Sequence, residues 1–135
     1  MDSIDDDIRA ALETHLVGIA GLPDIAFENV KYEPTTGVSY IKTQMIPTRN
    51  KPAVRGTNPQ LRYDGIFSVT VFIEEGKGVG EAYATVKLIK DAFAATTTVT
   101  LGSLNVSIDY AETQRGLNDS PWYFIPVNIG WYTYK

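Results

Sequence analysis

The chain contains no cysteine and a single histidine in 135 residues. The lack of cysteine excludes disulfide bonds, thiolate metal ligands and a cysteine nucleophile, and it fits a reducing compartment. No apolar run approaches the roughly 20 residues of a membrane helix, and residues 1–7 are acidic where a secretory signal requires basic residues. We therefore expect a soluble protein that is made in the cytosol and has no membrane partner.

The residue types that usually carry catalysis or bind metals show no supporting pattern. His15 lies on the flank of a predicted helix, and no nucleophile motif accompanies it. Asp5, Asp6 and Asp7 lack the alternating ligands and central glycine of a calcium loop, so we interpret them as first-turn carboxylates that complement the helix dipole. The sequence predicts no catalytic residue and no metal ligand.

The nearest pattern to a phosphate-binding loop is the glycine-rich turn at residues 76–80. Glu81 stands where the dinucleotide fingerprint needs a glycine, and the Gly-Lys-Ser/Thr of the other nucleotide-binding loop is missing. A carboxylate at this point would repel a docked phosphate. We therefore predict a flexible turn and no cofactor.

Length and hydrophobic content (44%) predict one domain over residues 1–135. Apolar residues at three- and four-residue spacings predict two helices, with stripes Ile4, Ile8, Ala11, Leu12, Leu16, Ile19 and Val79, Ala82, Val86, Ile89, Phe93. Two-residue alternation predicts strands at 38–46, 61–74 and 122–134, and a hairpin at 98–108. This order favours an α+β fold, with two helices packed on one face of a mainly antiparallel or mixed sheet.

The strand predicted at residues 122–134 is aromatic on both faces. Tyr123, Ile125, Val127, Ile129 and Trp131 form one alternating set, which we assign to the core. The other set offers Trp122, Phe124, Tyr132 and Tyr134 to a partner, and Pro126 within it suggests an edge strand or a bulge. Between residues 111 and 120 the sequence predicts a polar loop.

Residues 47–62 combine positive charge with three prolines in a protein of formal net charge −4. The four cations are Arg49, Lys51, Arg55 and Arg62, and no acid accompanies them. We predict a long projecting basic loop, because irregular connections of this length are usually functional or disordered. Three interpretations remain: a solvated loop, a nucleic-acid contact with Tyr63 as its one nearby ring, or an arm that reaches the acidic helix start of a neighbouring copy.

The chain resembles the tail terminator-like proteins of long-tailed bacteriophages and prophages. Four stretches carry the resemblance, which extends along nearly the full chain: residues 8–13 (IRAALE), 21–23 (GLP), 63–69 (YDGIFSV) and 122–127 (WYFIPV). The resemblance implies a non-enzymatic virion protein that caps the tail tube as a six-fold ring, ends tube polymerisation and presents a surface for head–tail joining. It also implies a place in the tail or neck, assembly in the host cytoplasm, and partners that are other copies, the tube protein and the head–tail connector. DNA would pass through the lumen without sequence-specific binding.

Two alternatives stay open from the sequence. The chain could be a head–tail joining (neck) protein or a tail tube protein, or it could be a small nucleic-acid-binding module that uses the basic loop. For the assembly protein, we predict that the interface draws on Arg49, Lys51, Arg55, Arg62, Asp5, Asp6, Asp7, Trp122, Phe124, Tyr132 and Tyr134.

Overall fold

The computed structural model describes residues 4–35, 37–52 and 61–134, and for residues 47–52 it describes the backbone alone. The helices are α1, Ile4–Val17, and α2, Gly80–Ala92. The strands are β1 Asp24–Ala26, β2 Tyr40–Pro52, β3 Leu61–Glu74, β4 Thr98–Leu101, β5 Leu104–Thr113, β6 Leu117–Asp119 and β7 Trp122–Tyr134. Both predicted helices and the predicted strands and hairpin are present, so the α+β class is confirmed.

The described strands form one mixed sheet in the order β1-β2-β3-β7-β5-β4, and β6 pairs with β7 beside this path. β1 runs parallel to β2, and the other pairs are antiparallel. The centre is the β3–β7 ladder, which continues without a register shift from Arg62 opposite Tyr134 to Glu74 opposite Trp122. At about 3.3 Å per residue, this ladder is roughly 40 Å long.

One alternating set of strand side chains enters a single hydrophobic core. Phe67 and Ile129 are fully buried, and Trp131 is 2% exposed. The apolar stripes of both helices belong to the same cluster, including Ile8 and Leu12 of α1 and Ala82, Val86 and Ile89 of α2. The predicted assignment of the β7 faces is therefore confirmed, since its core set is Tyr123, Ile125, Val127, Ile129 and Trp131.

The long irregular loop predicted at residues 47–62 is wrong at its start, whereas β3 begins at Leu61 as the strand prediction requires. β2 continues to Pro52 and β3 begins at Leu61, so paired strands occupy part of the range. The connection between them is residues 53–60, which lie outside the described residues together with the predicted Arg55. Proline is tolerated here because β2 has no described strand on its other side beyond Lys42.

The polar loop predicted at residues 111–120 is also wrong. β5 continues to Thr113, and residues 117–119 form β6 against β7. A register shift between Ile108 and Tyr110 changes the phase of the two-residue alternation of β5. The residues after the shift therefore do not continue the alternation from which the strand was predicted.

Pro126 does not mark an edge strand, because β7 lies between β3 and β5. The N–H of Gln114 donates to the Pro126 carbonyl oxygen at 2.8 Å. In a strand, the N–H and C=O of one residue face the same side. The side of Pro126 that lacks an N–H therefore faces a gap between two strands. β5 ends opposite Val127, and β6 begins opposite Phe124, so no strand needs a donor from Pro126.

Candidate functional site

The face of the sheet away from the core carries a cluster of aromatic rings, which we call the aromatic ladder: Tyr32, Tyr40, Phe72, Trp122 and Phe124. The register places Tyr40 opposite Phe72 and Phe72 opposite Phe124, on three adjacent strands. The first two rings stack at 4.6 Å with an interplanar angle of 5°, and the second pair lies at 5.3 Å. Such cross-strand pairs each contribute roughly 0.2–1 kcal/mol.

Two more rings complete the aromatic ladder around Tyr40. Trp122 meets it edge-on at 5.2 Å, and Tyr32 reaches it from the segment after β1 at 5.2 Å. Burial is the main cause that raises the pKa of Tyr40, and the neighbouring Tyr32 and Asp119 raise it further. The ladder is therefore a set of rings held in fixed positions, with a carboxylate at its border.

A second aromatic group lies at the opposite end of the β3–β7 ladder, and we call it the Arg62 cluster: Arg62, Asp64, Tyr132 and Tyr134. The Arg62 guanidinium lies 4.5 Å from the Tyr132 ring centroid and 5.9 Å from that of Tyr134. Its Nη1 donates to the Tyr134 hydroxyl at 3.2 Å, and its Nε donates to Asp64 at 3.4 Å. Partial desolvation would lower the pKa of Arg62, but these hydrogen bonds outweigh it and raise the pKa.

The Arg62 cluster changes how the predicted basic loop is interpreted. Arg62 is on β3, its side chain is 30% exposed, and it contacts groups of its own chain. Its charge is thus already partly matched before any partner arrives. The planar guanidinium and the ring of Tyr132 form a flat stacked surface, which is the kind of arrangement enriched at the centres of protein interfaces.

Tyr110 is an outer-face residue that the sequence pattern missed. It lies opposite Gly130 after the register shift in β5. Its ring occupies the space where a Cβ at position 130 would stand, so any other residue there would force the ring to move. No signal in the sequence of β5 alone could have identified this contact, because it depends on the bulge.

The predicted acids at the start of α1 are partly engaged within the helix. Arg9 forms ion pairs with Asp6 at 2.7 Å and Glu13 at 2.8 Å. Asp5 and Asp6 also line a groove of about 400 Å³ beside α1, which Glu28 and Met45 border as well. This groove lies next to β2 and apart from both aromatic groups.

The side chains that could ligate a metal are dispersed in the part of the chain that the structure describes. No group of three or more His, Asp or Glu side chains within it is placed to hold a metal ion. His15 donates from Nε2 to the carbonyl oxygen of Ala92 at 2.7 Å, and its ring meets Phe93 at 4.8 Å. These contacts explain His15 as a packed boundary residue. Within residues 4–35, 37–52 and 61–134, neither helix has the length and apolar character of a membrane span.

The predicted interface residues fall into separate places. Trp122 and Phe124 lie in the aromatic ladder, whereas Tyr132, Tyr134 and Arg62 belong to the Arg62 cluster. Asp5 and Asp6 line the groove, whereas Asp7 lies in the first turn of α1 outside its lining. Nothing is described of the Arg49 and Lys51 side chains.

Two solved structures have the same fold as this chain. One, whose name states no function, is 21% identical with a TM-score of 0.74, over 98% of this chain and 97% of the other. The second is a chain from the virion of a native gene transfer agent particle, 14% identical with a TM-score of 0.65, over 99% of this chain and 100% of the other. No curated protein matches the sequence.

The family model described as phage tail terminator protein matches residues 7–131. That range includes α2 and β1–β6 entirely, together with most of α1 and β7. The chain belongs to the phage tail terminator protein family.

Proposed function

We propose that this chain is a structural, non-enzymatic protein of a phage tail, which ends the growth of the tail tube as a ring of six copies and presents a surface for head–tail joining. The observation that carries the proposal is the family match over residues 7–131. The fold shared with a chain of a gene transfer agent virion supports the same role, because that chain also belongs to an assembled particle.

The outer face of the sheet supports an assembly role. Its aromatic ladder and Arg62 cluster hold rings and a guanidinium in place through contacts within the chain. Side chains fixed in this way lose little rotamer freedom when a partner binds. Trp122, Phe124, Tyr132 and Tyr134 are therefore the residues we assign to contacts with other tail components.

The two ends of the β3–β7 ladder differ, which favours a head-to-tail ring. The Arg62 cluster lies at one end, and Glu74 and Trp122 lie at the other, about 40 Å away by strand rise. A contact between unlike surfaces repeats around an axis and closes when the rotation allows it. We place the tube protein and the head–tail connector on the two sides of this ring, within the virion tail, with assembly in the host cytoplasm.

DNA would cross the ring without sequence-specific binding. The formal net charge of −4 gives the chain as a whole no general attraction for phosphate. Passage through a lumen needs a surface that does not hold the DNA, and a net acidic chain satisfies that requirement.

The test is polymerisation of the matching tail tube protein with and without this chain. With this chain present, we expect short tubes of bounded length, each ending in one ring of this chain. Negative-stain electron microscopy would show them. Native mass measurement of the released ring should give six times 14.9 kDa, about 89 kDa.

Other outcomes assign the chain elsewhere. Long tubes that incorporate the chain along their length would identify a tube protein. Binding to the head connector with no effect on tube length would identify a neck protein. A monomer that binds no tail component would contradict the proposal.

A further inference from the structure

The strand β2 has an open edge along much of its length. β1 pairs only with Tyr40, Ile41 and Lys42, and no other described strand lies on that side of β2. β2 itself continues to Pro52, paired with β3 on its other side. An edge of this kind presents backbone polar groups that a partner can bind.

This edge offers few hydrogen-bond donors. The N–H of Met45 donates to Glu28 Oε1 at 2.8 Å, which shows that the backbone of Met45 faces the open side. Strand alternation places the backbone of Pro47 on the same side, and proline has no N–H. Within the first part of the edge, one donor is occupied and the next is missing.

A second proline lies on the open side after the register shift. Pro47 lies opposite Gly65, and Pro52 lies opposite Leu61, four residues earlier on β3. Since four residues preserve strand alternation, the backbone of Pro52 also faces the open side and lacks a donor. Asn50, opposite Tyr63, also faces this side and keeps its N–H, so carbonyl oxygens outnumber the N–H groups of the edge without excluding them. Such an edge suits strand addition poorly, because an added strand needs alternating donors and acceptors.

The groove beside the edge is acidic. Asp5, Asp6 and Glu28 line it with Arg9, which is engaged with Asp6 and Glu13. Carbonyl oxygens and carboxylates together accept hydrogen bonds and attract cations. The partner that fits this edge carries several positively charged donors on an extended segment.

We propose that the open edge of β2 and its acidic groove bind the basic segment 49–55 of a second copy of this chain. Arg49, Lys51 and Arg55 supply the donors that the edge lacks. The proposal rests on the proposed ring and names the contact that joins one copy to the next. Such a contact is head-to-tail, because it joins different surfaces of the two copies.

Residues 49–52 of each copy belong to β2 itself and pair with β3. We therefore assign the segment that binds the edge to a neighbouring copy.

Charge reversal on each side of the contact tests the proposal. One variant carries Asp5→Lys and Asp6→Lys, and the other carries Arg49→Glu, Lys51→Glu and Arg55→Glu. Each variant alone should lose self-association in the presence of tube protein by roughly tenfold or more, because like charges then face each other. An equimolar mixture should recover wild-type rings, since alternating copies restore opposite charges at every contact.

Glu28→Gln serves as a milder variant that keeps an acceptor for the Met45 N–H but removes the charge. We expect an unchanged melting temperature and an association weakened several-fold. Asp91→Lys on α2 is the matched control, since Asp91 is exposed and lies outside the groove; it should assemble like wild type.

The outcomes separate this contact from the proposed function. If wild type forms rings and the reversed variants form them equally well, or if the mixture is no better than either variant, the β2 contact is wrong. If folded wild type forms no ring with or without tube protein, the ring itself is wrong. Circular dichroism of each variant confirms that a loss of assembly is not a loss of folding.

Discussion

Trp122 and Trp131 lie on the same strand and have opposite roles. They are nine residues apart, so strand alternation turns them to opposite faces of the sheet. Trp131 is 2% exposed in the core, whereas Trp122 belongs to the aromatic ladder. The indole Nε1 of Trp131 has no hydrogen-bond partner among the described residues, so its stabilising effect comes from packing.

Replacing Trp131 with alanine should lower the free energy of unfolding by about 3–5 kcal/mol, because it removes a large buried side chain and leaves a cavity. Urea denaturation followed by circular dichroism measures the change. Leu117→Ala, at a position 47% exposed, is the control and should stay within about 0.5 kcal/mol of wild type. An equal effect at both positions would contradict the face assignment of β7.

Gly130 should tolerate alanine only if the ring of Tyr110 is removed. In the wild-type background, Gly130→Ala should destabilise the fold by about 1–3 kcal/mol, because the new Cβ overlaps that ring. In a Tyr110→Ala background the same substitution should have a smaller effect. A double-mutant cycle with thermal unfolding measures the coupling, and strictly additive effects would refute the contact.

Glu13 should make stability depend on pH. Desolvation is the main cause that raises the pKa of Glu13 above its ordinary value of 4.5, and the nearby Arg9 only partly opposes it. As pH rises from below 4.5, the unfolded chain ionises first, so stability falls until the folded carboxyl has also ionised.

Glu13→Gln should therefore gain stability relative to wild type between pH 3 and pH 7. Free energies of unfolding from urea titrations at the two pH values measure this change. Asp91→Asn is a control at an exposed helix position. A Glu13→Gln variant whose relative stability drops as the pH rises would show that the ion pair with Arg9 dominates instead.

At the scale of elements, the basic segment should matter for assembly more than for folding. Replacing Arg49, Lys51 and Arg55 with serine should change the melting temperature little, because the proposed contact joins two copies. Substitutions outside a packed core usually change the free energy of unfolding by no more than about 0.5 kcal/mol. Association with other copies should weaken. Differential scanning calorimetry and sedimentation velocity measure the two effects, and a large fall in melting temperature would show that these side chains are packed.

The strongly periodic elements could be predicted from the sequence. Both helices, β3 and β7 follow from uninterrupted apolar spacing, and their core faces follow with them. The end of β2 and all of β6 could not, since proline and polar residues usually indicate a loop. In this fold, an open edge accommodates Pro47 and Pro52, and pairing with β7 holds the polar segment at residues 117–119.

Only part of the candidate site could be predicted from the sequence. Trp122 and Phe124 could be selected from the alternation of one strand. Their partners Tyr40 and Phe72 could not, because a cross-strand stack depends on which strands pair and in what register. The hydrogen bond between Glu28 and Met45 could not be predicted either, since it links a segment after β1 to the edge of β2.

At the scale of the whole molecule, one core predicts one unfolding transition. The buried residues of both helices and of β2–β5 and β7 form a single cluster. Tryptophan fluorescence reports on the sheet through Trp131 in the core and Trp122 on the outer face, and far-ultraviolet circular dichroism reports on the backbone. The two signals should change together with urea, as two-state unfolding requires. Separate midpoints would show that the chain contains two independent units.

The β3–β7 ladder also has a consequence for the order in which the protein is made. Phe67 pairs with Ile129, so the central pairing joins residues 62 positions apart in the chain. The ribosome must therefore synthesise both helices and β4–β6 before the strand that completes the middle of the sheet. During this interval β3 lacks its ladder partner β7, and pairing over such separations is intrinsically slow. The central sheet can close only after β7 has left the ribosome. The folded surfaces used for assembly therefore form only once β7 has been synthesised.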